Sequence, residues 1–217
     1  MSARASGRWL TPPRVLHGVA LLLALVVSGC AALPESAGER ALAQEAFMER
    51  AERVAAVPDW RLAGRLVLET PGESWSGQLS WRAGDDSQII DLTGPMGRGG
   101  GRLVLGGERA MLLTRDGERY EASDPDALMV VMTGREIPVS GLDHWVRGMA
   151  RPGVPFDLRA DRSGQPMRLF QDGWEIIYRT FEDAGPARLP TSMELTRGEM
   201  NLRLTIQRWQ LGVPAGS

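Results

Sequence analysis

Apolar residues along this chain follow two different periods. Between residues 37 and 56 they repeat at helical spacing, with Leu42, Ala46, Phe47, Ala51 and Val54 on one predicted face. Ser36-Ala37-Gly38-Glu39 reads as a capping box at the start, and Pro58 ends the helix. From Asp59 the period becomes two. Leu62, Gly64, Leu66 and Leu68 alternate with Arg61, Ala63, Arg65, Val67 and Glu69, and Trp75, Gly77, Leu79 and Trp81 alternate with polar neighbours. Pro71-Gly72 lies between these runs, which predicts a hairpin. Further strands are predicted near Gln88–Leu92, Arg102–Leu105, Ala110–Thr114 and Arg119–Ala122, with Gly106-Gly107 and Asp116-Gly117 as tight turns. Two short helices follow. Ser123-Asp124-Pro125 starts one, with Leu128, Met129 and Met132 on its apolar side and Gly134 as its stop. Ser140 starts the other, carrying Leu142, Trp145 and Val146 and closed by Gly148. Strands resume near Met167–Gln171, Trp174–Phe181, Ser192–Thr196 and Asn201–Trp209. The pattern predicts a mainly β (α+β) fold. About ten or eleven strands in meander order form a strongly curved antiparallel sheet, with about three helices. A curved sheet of this size need not fill its own interior, and helices over its mouth would leave a hydrophobic cavity.

The N-terminus is organised differently. Arg4, Arg8 and Arg14 precede the apolar run Val19–Val27, which is too short to span a bilayer. The run ends in Val27-Ser28-Gly29-Cys30, which resembles the lipobox of bacterial lipoproteins. Small residues before the cut let the chain lie extended in a protease groove, and the thiol can carry a diacylglycerol. Cys30 is the sole cysteine, so an intramolecular disulfide and a cysteine zinc cluster are both excluded. The expected organisation is a signal peptide over residues 1–29, a lipidated tether over 30–36 and a single domain over 37–217. The position after the cysteine is Ala31. In the lipoproteins this resembles, Asp there often means inner-membrane retention, so its absence favours the outer membrane.

Removing residues 1–29 takes three of the 25 basic residues and none of the 27 acidic ones, leaving a net charge of about −5. That balance argues against a nucleic-acid partner. Every basic residue is arginine, which excludes a Schiff-base or Walker lysine, and His17 leaves with the signal peptide, so His144 alone remains for acid–base chemistry. Ser140, Asp143 and His144 are the nearest approach to a triad, but adjacent helical positions point apart. Gly97-Arg98-Gly99-Gly100-Gly101-Arg102 has arginine where a dinucleotide loop needs its third glycine, and Asp85-Asp86 reads as a solvated turn. No enzyme, metal or cofactor beyond the covalent lipid on Cys30 is expected.

Landmarks follow one another in a fixed order along the chain. They are Trp60-Arg61-Leu62-Ala63-Gly64-Arg65, Gly77-Gln78-Leu79-Ser80-Trp81, Gly94-Pro95-Met96-Gly97, and Tyr120-Glu121-Ala122-Ser123-Asp124-Pro125. They continue through Gly134-Arg135-Glu136-Ile137-Pro138-Val139, Leu142-Asp143-His144-Trp145-Val146-Arg147-Gly148 and Gly173-Trp174-Glu175-Ile176-Ile177-Tyr178. Leu189-Pro190, Leu202-Arg203-Leu204-Thr205-Ile206 and Trp209 complete the set. In order and spacing these landmarks resemble the LolB family of outer-membrane lipoprotein receptors, and the resemblance covers about residues 40–209 and rests on no single block. It implies a half-open β-barrel with a helical lid over a cavity for the acyl chains of another lipoprotein. That cargo would arrive from the periplasmic carrier LolA and pass into the outer membrane. It also implies that the loop Gly94, Pro95, Met96, Gly97 exposes an apolar tip. The family commonly has leucine there, and methionine keeps its reach with more flexibility. Without the resemblance, an ordinary turn whose methionine folds back onto the core would be expected. Leu128, Met129, Met132 and Trp145 are candidate cavity residues, although aromatics at strand spacing usually pack as plain core. A monomer meeting its partner transiently is expected. A lipocalin-like lipoprotein for a small hydrophobic ligand would share the sheet and cavity without needing LolA or an exposed tip.

Overall fold

The computed structural model describes residues 36–84, 87–97, 99–107 and 109–212. Cys30 and its tether, the Asp85-Asp86 turn and Arg98 lie outside the described residues. Helix α1 spans Ala37–Ala55, followed by β1 (Trp60–Thr70), β2 (Glu73–Ala83) and β3 (Ser87–Thr93). A short 3-10 turn, Pro95–Gly97, leads to β4 (Gly100–Gly106), β5 (Arg109–Thr114) and β6 (Arg119–Ala122). Helices α2 (Pro125–Thr133) and α3 (Val139–Trp145) come next. The chain ends with β7 (Phe156–Ala160), β8 (Pro166–Gln171), β9 (Trp174–Asp183), β10 (Arg188–Arg197) and β11 (Met200–Leu211).

All eleven strands form one open sheet in the order β6-β5-β4-β3-β2-β1-β11-β10-β9-β8-β7. Every pairing is antiparallel. The predicted meander is therefore two meanders joined where β1 pairs with β11. Strands β6 and β7 are consecutive in sequence but lie at opposite edges. The connection between them must cross the sheet, and it is this connection that carries α2 and α3. Topology thus places the two helices over the sheet.

The period of two in β1 is a burial pattern, with Trp60, Leu62, Leu66 and Leu68 buried. Helix α1 departs from its predicted face. Its buried stripe is Ala43, Phe47, Arg50 and Val54, while Leu42 is exposed. The stripe follows the spacing 43, 47, 50, 54, and one of its positions is an arginine, which an apolar pattern does not mark. Phe47 packs on Phe156, at 6.0 Å between ring centroids, so α1 covers the β7 edge. Strand β7 is absent from the sequence reading because it is short and lies among Pro152, Gly153 and Pro155. Helix α2 forms as its punctuation requires: Asp124 accepts from the Asp126 amide, Pro125 opens the helix, and Gly134 closes it in the left-handed conformation. Helix α3 starts one residue earlier than expected, at Val139, and has no side-chain cap of its own.

Candidate functional site

Inward-facing residues of the sheet and the apolar faces of α2 and α3 meet around a cavity of about 40 Å³. The sheet contributes Leu66, Leu79, Trp81, Ile90, Leu92, Leu195, Leu202 and Leu204. The helical segment contributes Met129, Met132, Ile137, Val139, Leu142 and Val146. An apolar cavity of roughly 150 Å³ is what benzene needs. A space of about 40 Å³ therefore admits an apolar guest of that size only when the helices move outward. Methionines suit that role, because an unbranched thioether repacks readily around a variable occupant.

The two helices are tied together and latched at one end. The Asp126 carboxylate in α2 accepts from the Ser140 amide (3.2 Å) and the Ser140 hydroxyl (2.9 Å) in α3. Arg135, just past α2, donates to Glu73 Oε2 (3.0 Å) and Thr70 Oγ1 (3.3 Å) at the β1–β2 turn. Past α3, Arg50 from α1 enters the interior. It donates to the carbonyls of Gly148 (2.8 Å), Arg147 (3.1 Å) and Arg188 (2.6 Å). Burial lowers the pKa of Arg50 to about 10.

The structure separates the residues singled out from sequence. Met129 and Met132 line the cavity. Leu128 is buried but is not among its walls. Trp145 does not line it either. The Trp145 indole N–H donates to Gln171 Oε1 (2.9 Å), its ring lies 6.4 Å from that of Trp174, and its carbonyl accepts from the Tyr178 hydroxyl (3.0 Å). It anchors α3 to the sheet. Ile137, Val139 and the sheet leucines escaped the sequence reading as cavity residues. Strand alternation marks the leucines as inward, but only strand order shows which of them lie beneath the helices.

The Gly94–Gly97 loop closes on itself, with the Gly97 amide donating to the Gly94 carbonyl (3.1 Å). Met96 has φ 55° and is 96% exposed. Its side chain points into solvent and does not fold back. For a non-glycine residue that backbone conformation is uncommon, and here it turns the methionine outward.

A second space of about 610 Å³ lies between α1 and the loop after α3, walled in part by Trp60, Asp143, His144 and Arg147. No catalytic relay forms there. Ser140 is engaged by Asp126, and His144 Nδ1 is 3.9 Å from Asp143 Oδ2. Burial, with a further contribution from Arg147, lowers the His144 pKa against the opposing pull of Asp143.

Comparison with known proteins agrees with this geometry. The family model for outer membrane lipoprotein LolB matches residues 58–209. The outer-membrane lipoprotein LolB of Alkalilimnicola ehrlichii is 38% identical, over 89% of this chain and 96% of its own length. That of Halorhodospira halophila is 39% identical, over 94% of this chain and 97% of its own. Among solved structures, an outer membrane lipoprotein-sorting protein domain from Vibrio parahaemolyticus superposes with a TM-score of 0.57 at 11% identity, covering 80% of this chain and 94% of that one. A LolA superfamily protein from Nitrosomonas europaea superposes with a TM-score of 0.51 at 10% identity, covering 80% and 95%. At such identities the structural likeness speaks for the fold alone.

Proposed function

The chain belongs to the LolB family of outer-membrane lipoproteins, and from that premise we propose that it is the receptor that accepts acylated lipoproteins from the periplasmic carrier LolA and inserts them into the outer membrane. Residues 1–29 are its signal peptide, and lipid on Cys30 holds it to the periplasmic face of that membrane. The observation that carries this reading is the wholly apolar seam between α2–α3 and the sheet, which two methionines line and which Arg135 closes at one end.

The physical problem is large. Acyl chains in water cost about 0.8 kcal/mol per CH₂, or tens of kcal/mol for a triacylated cargo. A receptor must offer apolar surface before the carrier lets go. Here the helices give up their own contact with Leu66, Leu79, Leu92 and Leu204 and take up the acyl chains in its place. One apolar contact replaces another, so transfer can run on an affinity difference without nucleotide hydrolysis. Met96 then acts outside the cavity. It presents a bare apolar side chain to the bilayer, where its burial contributes about 1.5–3 kcal/mol, enough to bias contact without fixing the protein there.

The test is a two-stage assay. LolA carrying an acylated lipoprotein is mixed with this protein, and cargo is followed first onto it and then into liposomes. Cargo should leave LolA in the first stage. Met96→Glu should accept cargo at the wild-type rate and lose at least about tenfold in the second stage, because a carboxylate resists entering hydrocarbon. Failure of the folded wild-type protein to take any cargo would remove the receptor reading. Undiminished insertion by Met96→Glu would remove the role of the tip.

A further inference from the structure

The cavity is closed unequally at its two ends. Toward α1 the closure is packed. Trp81, in the cavity wall, lies against Trp60 with ring centroids 5.4 Å apart. Trp60 also packs on Trp209 at 5.7 Å, and the Arg147 guanidinium sits 5.4 Å above the Trp60 ring. Trp60 and Arg147 are walls of the separate 610 Å³ space, so this aromatic layer divides the two. Opening that end would unstack buried indoles and uncover a buried arginine.

The other end has no such layer. Leu92 and Met132 line the cavity and also a further space of about 110 Å³. Trp75, Gly99 and Gly100 bound this space, and its outer rim is Thr70, Glu73 and Arg135. Gly100 has φ 85°, and a Cβ there would meet the Leu92 carbonyl oxygen at 2.2 Å. The backbone leaving the Met96 loop therefore runs tight along the wall of this space. On the outside, closure depends on the Arg135 guanidinium, whose partners Glu73 and Thr70 lie near solvent.

We infer that this small space is the portal through which acyl chains pass between the cavity and the membrane, with Met132 and Trp75 as its walls and the contact of Arg135 with Glu73 and Thr70 as its bar. The inference rests on the receptor reading above. A hydrocarbon chain needs a path that strands no charge in an apolar interior. Here the groups to be parted are solvent-facing ones that water re-solvates as they separate. At the α1 end the group uncovered would be Arg147. The portal also opens three residues from Met96, so a chain leaving it emerges beside the apolar tip.

The full-length lipidated protein in liposomes, supplied with cargo-loaded LolA, tests this through the initial rate at which cargo enters the liposome bilayer. Arg135→Ala should raise the rate about two- to fivefold, as expected for loss of an exposed ion pair. Added salt should accelerate the wild type and leave this variant unchanged. Met132→Trp should slow transfer at least about tenfold by filling the passage. Met48 of α1 is another wall of the 610 Å³ space, and Met48→Trp, which narrows that space, should run at the wild-type rate. Misfolding can only slow transfer, so an increase in Arg135→Ala cannot come from it. Slowing by Met48→Trp, with Arg135→Ala and Met132→Trp unchanged, would move the portal to the α1 end and overturn the inference. No transfer by the wild type would overturn the receptor reading, and the portal with it.

Discussion

Arg50 sits on α1 with 3% of its surface exposed, and all three of its hydrogen bonds go to backbone carbonyls. A buried cation is tolerated when such acceptors replace its water. Arg50→Met keeps the bulk and strands the carbonyls of Gly148, Arg147 and Arg188. It should cost about 2–4 kcal/mol in chemical denaturation. His144 makes a pH prediction. Burial holds its pKa below the ordinary value of 6.5, so the folded protein binds this proton less readily than the unfolded chain does. The contribution is fully favourable above 6.5 and is lost as pH falls through that value toward the lower folded one. The melting temperature should therefore fall as pH drops below about 6.5, and His144→Gln should flatten that part of the profile.

At the scale of elements, the helical lid is a coupled pair. Helix α2 is nine residues long and has both caps, whereas α3 is seven residues long and its N-cap residue, Pro138, makes no side-chain hydrogen bond to it. So short a helix is marginal alone. The carboxylate of Asp126 supplies what α3 lacks, by accepting from the Ser140 amide and hydroxyl. Asp126→Ala should leave α2 capped by Asp124 but free the start of α3. Amides at the start of α3 should exchange faster with solvent by about five- to thirtyfold, corresponding to about 1–2 kcal/mol of lost local stability. Amides of β1 should keep their protection. Uniform acceleration across the protein would mean that Asp126 supports the fold as a whole and not the lid.

At the scale of the molecule, the junction of β1 with β11 joins two meanders that are otherwise separate. Its register shifts between Ala63 and Gly64, and a Cβ at Gly64 would meet the Thr205 carbonyl oxygen at 2.3 Å. The obstruction is backbone, so it cannot yield as a side-chain tip would. Gly64→Ala should destabilise the protein by about 1–3 kcal/mol through strand separation at this junction. The same junction brings Leu66 of β1 beside Leu204 of β11 on the face beneath the lid. A weakened junction should therefore also lower cargo transfer.

What the sequence determined by itself was local. Alternation marked ten of the eleven strands, because burying one face of a strand needs only a period of two. Asp124, Pro125 and Gly134 bounded α2, because caps act within a few residues. The resemblance of Val27-Ser28-Gly29-Cys30 to a lipobox was equally local. Tertiary structure decided everything that depended on distant partners. It paired β1 with β11, sent β6 and β7 to opposite edges and so carried α2 and α3 across the sheet. It selected Met129 and Met132 as cavity walls and committed Trp145 to Gln171 and Tyr178. It also joined Arg135 to Glu73 and buried Arg50. Alternation says that a leucine faces inward, but what it faces depends on which strands and helices are brought opposite it, and that is settled by packing between segments far apart in the chain.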